Sequence, residues 1–123
     1  MRSKYNITDS EREVMEMLWK QSAEIKQSEL LALFQKDGKE WKRQTLNTFL
    51  SRLEEKGMVT RNARMVKAAY PEEEMNRLIM KEAIDTMYQG KISNFVMAFA
   101  EKESLQKEDI RELEELISKY AKE

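Results

Sequence analysis

At 123 residues the chain has room for one domain, or one domain with an appendage, built on a single modest core. Its composition, 37% charged and 41% hydrophobic with 3 Gly and 1 Pro, is that of a mainly helical protein. There is no Cys, so no disulfide framework or thiolate chemistry, and with no His either, neither an enzyme nor a metal centre nor a bound cofactor is expected.

The net charge of −1 conceals two halves of opposite sign. Residues 1–71 carry 14 Lys and Arg against 10 Asp and Glu, whereas residues 72–123 carry 8 against 13. Basic charge is densest from Lys39 to Lys67, with 8 basic and 3 acidic residues, a local field suited to an anionic partner. The opening "MRSKYNITDSEREVMEMLWK" is charged throughout, unlike a secretory signal. No apolar run approaches the ~20 residues that span a bilayer. The expectation is a soluble, cytoplasmic protein without membrane insertion.

The first predicted element is a helix in "ITDSEREVMEMLWK", where Thr8 and Glu11 have capping-box spacing and Ile7, Val14 and Leu18 mark one face. "QSAEIKQ" reads as a connector with a short strand at Glu24–Ile25. Ser28 is placed to cap a short helix, "ELLALFQK", that stops at Gly38. A third helix follows from Arg43 to about Lys56, ended by Gly57. "MVTRNARMVKAAY" then reads as a hairpin around Asn62, Ala63 and Arg64.

Pro71 opens a different region. A long helix from Glu72 to about Tyr88 presents Leu78, Ile79, Ile84 and Met87, and Gly90 breaks it. A shorter helix, "ISNFVMAFAEK", carries Phe95, Val96 and Phe99. The last helix carries Ile110, Leu113, Leu116, Ile117 and Tyr120. Three amphipathic helices in some 50 residues bury little surface alone, so pairing with a second copy is the favoured expectation.

Helix, helix, helix and short hairpin is the order of a winged helix-turn-helix, whose third helix enters the DNA major groove. The third helix suits that task. With its apolar spine at Leu46, Phe49, Leu50 and Leu53, the opposite face carries Gln44, Thr48 and Ser51, with Asn47 and Arg52 at its flanks. Amides can pair with adenine, hydroxyls with bases or phosphates, and Arg with guanine or phosphate. Glu55 lies on the same outward row. Arg61, Arg64 and Lys67, with no acid between Lys56 and Glu72, suit phosphate contacts from the wing. The expected fold is therefore mainly α: a winged-helix DNA-binding domain over residues 1–71, then a helical dimerisation domain over 72–123.

Beyond this pattern, "ITDSEREVMEMLWK", "QTLNTFLSRLEEKGMV" and the wing ending "AAYP" resemble the penicillinase-repressor family, the BlaI/MecI-type regulators. Ile7, Glu13, Val14, Met15 and Trp19 match the family's first helix. Trp41, Thr45, Thr48, Leu50, Arg52, Leu53, Lys56 and Gly57 match the steps leading into and through its third. "YQGKISNFVMAFAEKESLQKEDIRELEELI" extends the likeness over nearly the whole chain.

The resemblance implies a homodimeric transcriptional repressor on a dyad-symmetric double-stranded DNA operator. The family's DNA-contacting positions correspond to Lys42, Arg43, Gln44, Thr45, Asn47, Thr48 and Arg52, with Arg61, Arg64 and Lys67 on the wing. Dimerisation would fall to Leu78, Ile79, Ile84, Met87, Phe95, Phe99, Ile110, Leu113, Leu116, Ile117 and Tyr120. It further implies release by proteolysis after a signal from a membrane sensor-protease, at the bond corresponding to Ala98–Phe99. The chain departs from the family at Gln44 and Asn47, where basic residues are common, and at Ala98, where the family has Asn. It also lacks the C-terminal cysteine cluster of copper-responsive relatives.

Two other readings compete. Carboxylate runs such as "PEEEM" and "ELEEL" read as solvated helix faces rather than catalytic pairs. A helical interaction module, an antirepressor or adaptor that never touches DNA, would explain the last three helices but leave the basic hairpin and the polar third helix without a role.

Overall fold

Thr8 starts the first helix by local chemistry. In the computed structural model, which describes residues 5–102 and 105–120, its hydroxyl oxygen accepts the Glu11 backbone N–H at 3.1 Å and opens α1 (Asp9–Trp19). The reciprocal half of the capping box is absent. The Glu11 carboxylate turns inward, is 1% exposed, and accepts from Lys56 Nζ at 3.2 and 3.3 Å. Lys56 also donates to the Asn6 carbonyl at 2.8 Å, so the chain start is tied to the end of the third helix. A buried charge needs such a partner. Val14, Met15 and Leu18 point into the core on the same side.

Strand β1 (Ile25–Lys26) lies one residue later than expected, because Ile25 is buried opposite Val66 and Lys26 pairs with Met65. It runs straight into α2 (Gln27–Lys36), whose N-cap is Lys26 with no side-chain bond. Ser28 therefore does not cap this helix. The Gln27 N–H donates to the Arg64 carbonyl at 2.9 Å, and the strand-to-helix step leaves no turn for Ser28 to close.

Gly57 ends α3 (Arg43–Glu55) for a stated reason: its φ of +77° is open to glycine and costly for other residues. The Met58 N–H reaches the Leu53 carbonyl at 3.0 Å and the Gly57 N–H reaches Glu54 at 3.0 Å. Leu53 and Met58 are both fully buried, which completes the cap with an apolar contact.

The chain then forms β2 (Val59–Asn62) and β3 (Met65–Ala68), joined by Ala63 and Arg64 alone. Ala63 takes φ +58°, the left-handed value this tight loop demands at its first position. The antiparallel sheet has the order β1-β3-β2, with Val59 opposite Ala68 and Arg61 opposite Val66. The fold is thus mainly α, a winged helix-turn-helix with a small sheet and a helical region after it.

Two compact units divide this chain, the first ending at Ala83 and the second beginning at Ile84, inside α4 (Glu72–Met87). In the first unit Met75 of α4 is fully buried, and Leu78 and Ile79 pack half-buried against the same core. Trp19 Nε1 donates to the Tyr70 carbonyl at 3.0 Å and fastens the chain after the wing to the end of α1. The second unit holds the end of α4, α5 (Ile92–Lys102) and α6 (Lys107–Tyr120). Tyr88 and Phe95 meet edge to face at 5.6 Å, and Arg111 pairs with Glu108 and with Glu115 (2.8 Å) along α6.

Candidate nucleic-acid interface

The start of α3 is held by aromatic packing. Phe34 of α2, Trp41 and Phe49 of α3 stack in a row with centroids 4.6 and 5.0 Å apart. Gln35 Nε2 donates to the Trp41 carbonyl at 3.0 Å, and Lys39, 5.4 Å above the Trp41 ring, pairs with Glu13 at 2.7 Å. Leu46, Leu50 and Leu53 are fully buried, while Phe49, expected in the same spine, is half-buried beside Trp41. With the spine inward, Gln44, Asn47, Thr48 and Ser51 are exposed. The Thr48 hydroxyl donates to the Gln44 carbonyl at 3.0 Å, leaving its oxygen lone pairs as its offer to a ligand.

A groove of about 1250 Å³ opens where α2 begins, α3 begins and the wing turns. Lys26 of β1 and Gln27 and Ser28 of α2 line it, with Arg43, Gln44 and Asn47 from α3, and Ala63, Arg64 and Met65 from the hairpin. Neither helix has a side-chain N-cap bond, and the first turn of α3 contains no acid. Two helix N-termini without side-chain caps, each the positive end of a helix dipole, therefore adjoin Lys26, Arg43 and Arg64, although the Gln27 N–H is taken by the Arg64 carbonyl and α2 carries Glu29 in its first turn. Such a surface attracts phosphate.

Of the residues expected to touch DNA, the structure gathers Arg43, Gln44, Asn47 and Arg64 in this groove. Lys42, Thr48, Arg52 and Lys67 are exposed outside its lining, and Thr45 is half-buried. The sequence does not point to Lys26, Gln27 and Ser28 as groove residues, because Ser28 there reads as a helix cap. A signal was present: a Lys directly before a helix with no acid until Glu29.

Arg61 occupies a different position from the rest of the wing. Its side chain is 19% exposed and lies against α3, donating to Asn47 Oδ1 at 2.9 Å, Ser51 Oγ at 2.9 Å and Glu54 Oε1 at 2.9 and 3.2 Å. Strand alternation accounts for this, since Arg61 shares a sheet face with buried Val59 and Val66.

Among residues expected at a dimer interface, Leu78 and Ile79 are engaged within the first unit. Met87, Phe99, Ile110, Leu113, Leu116, Ile117 and Tyr120 are exposed, and Ile84 and Phe95 are half-buried. Ala98 is half-buried and Phe99 is 50% exposed, both within α5. Among the described residues no helix is long and apolar enough to cross a membrane, and no cluster of acidic residues could hold a metal ion.

Known proteins resemble this chain over most of its length. A family model described as penicillinase repressor matches residues 7–119. The methicillin resistance regulatory protein MecI of Staphylococcus aureus strain N315 is 30% identical over 120 residues, covering 94% of this chain and 95% of that protein. The MecI of Mammaliicoccus sciuri is 29% identical over the same shares, and the penicillinase repressor of Bacillus licheniformis is 27% identical over 93% of this chain and 91% of its own. With a match of that extent, this chain belongs to the penicillinase repressor family of transcriptional repressors.

Proposed function

We propose that this chain represses transcription by binding a dyad-symmetric DNA operator as a cytoplasmic homodimer, with α3 in the major groove and the wing tip on the flanking backbone. The observation that carries the reading is the groove in which Arg43, Gln44 and Asn47 face Arg64 across the uncapped starts of two helices. Lys26 and the α2 start, with Lys42 and Lys67, contact phosphates and orient the protein; Gln44 and Asn47 read base edges. Residues 72–123 supply the dimer contacts, chiefly through the exposed apolar residues of α5 and α6.

Dimerisation matters because binding the second half-site becomes intramolecular once the first is occupied, which raises avidity by roughly 10²–10⁴. Release by cleavage at Ala98–Phe99 fits this arithmetic, since it would detach α6 from the rest. A protease needs extended backbone, so α5 must unwind locally before the bond is reached. A membrane sensor-protease is the partner this route calls for.

A salt titration on operator-containing fragments tests the reading. With ~4–6 phosphates neutralised per protomer, log affinity falls against log salt with a slope of about −0.9 per phosphate. Flat or undetectable binding on every genomic fragment would overturn it in favour of a protein-interaction module.

A further inference from the structure

Arg61 joins the wing to the base-reading face of α3 by four hydrogen bonds, to Asn47 Oδ1, Ser51 Oγ and twice to Glu54 Oε1. A guanidinium carries donors only, so the atom of Asn47 that it holds is the carbonyl oxygen, which leaves the Nδ2 donors for a ligand. Glu54 meanwhile neutralises the guanidinium 2.9 Å away. A cation so engaged is poorly placed to neutralise a phosphate as well.

We propose that Arg61 is a positioning residue that holds Asn47 donor-outward, so that α3 favours guanine over adenine at the base it faces. Guanine presents two acceptors in the major groove, N7 and O6. Adenine presents N7 and an N6 donor, and pairing with both requires the amide oxygen, which Arg61 turns toward the wing while taking one of its two lone pairs. Specificity at one base pair is thereby set by a residue on the wing, 14 positions away along the chain. This inference rests on the DNA-binding reading above.

The test selects bound sequences from random duplexes with the full-length protein and its variants. Asn47→Ala identifies the base pair that Asn47 reads, as the position where preference relaxes. At that pair the wild type should prefer guanine by roughly tenfold. The charge-neutral double variant Arg61→Met with Glu54→Gln should move the preference toward adenine and leave the salt slope unchanged. Ser51→Ala, which removes one arm of the clamp from an exposed site, should shift preference in the same direction by less, with an unaltered melting temperature. The proposal is overturned if the wild type already prefers adenine there, if Asn47→Ala relaxes no position, or if the double variant weakens all sequences alike. A double-variant slope shallower by about 0.9 per protomer would also overturn it, because Arg61 would then be a phosphate contact. If the wild type selected no duplex at all, the DNA-binding reading itself would fall, and this proposal with it.

Discussion

Helices α3 and α6 are of similar length, 13 and 14 residues, and both are amphipathic, yet Leu46, Leu50 and Leu53 of the first are fully buried while α6 buries none. Both carry an apolar stripe, the more pronounced one on α6, and that of α3 is covered by the core of its own unit. The first unit closes its own core with α1, α2, the sheet and Met75 of α4. In the second, Ile110, Leu113, Leu116 and Ile117 remain 39–67% exposed. Burying such a side chain stabilises by about 1.5–3 kcal/mol, a gain that α6 leaves unrealised at four positions and that the proposed dimer would collect. One region closes its own core; the other leaves an apolar stripe exposed.

Five substitutions probe that contrast. The largest effect is expected from Leu50→Ala, which should cost about 2–5 kcal/mol in urea unfolding of the first unit through the cavity it leaves. Ile117→Asp, at a site 67% exposed, should leave that unfolding transition in place. It should abolish dimers in sedimentation and weaken operator binding by roughly 10²-fold or more. If it unfolded the first unit too, the division into a finished and an unfinished region would be wrong.

Within the groove the effects are smaller and differ in kind. Asn47→Ala should cost about 1–3 kcal/mol on the true operator and little on random duplex. Arg64→Ala should weaken both alike and make the salt slope shallower by about 0.9 per protomer. Quantitative footprinting on the two DNAs separates them, and identical behaviour would erase the assigned roles. The smallest change is expected from Gly57→Ala. The space beside this glycine is open, so the cost, about 1 kcal/mol in thermal unfolding, comes from the left-handed backbone alone.

Much of this fold was legible because its signals are local. Thr8 before a helical pattern, Gly57 after one and the β-branched runs around Asn62–Ala63–Arg64 each act over a few residues, and each lies where it was expected. The candidate site was legible in half. Arg43, Gln44 and Asn47 follow from the spine of α3, and Arg64 from the hairpin turn. Lys26, Gln27 and Ser28 are not legible in the sequence, since their place beside the groove depends on β1 pairing with β3, a contact some 40 residues distant in the chain. Arg61 could have been placed by strand alternation with Val59, but its partners on α3 could not.

By itself, the order of amphipathic and β-rich segments determined a winged helix followed by helices, because side-chain spacing of two or three to four residues dictates which face seeks burial. Tertiary structure alone decided which polar groups met. Glu11 abandoned its half of a capping box for Lys56, Ser28 lost its cap to a strand, and Arg61 turned from the solvent to Asn47, Ser51 and Glu54. For Glu11 the physical reason is that a carboxylate entering a packed core must find a partner there; for Ser28 and Arg61 it is that strand pairing and alternation, fixed by packing rather than by sequence neighbours, set which polar groups lie nearest.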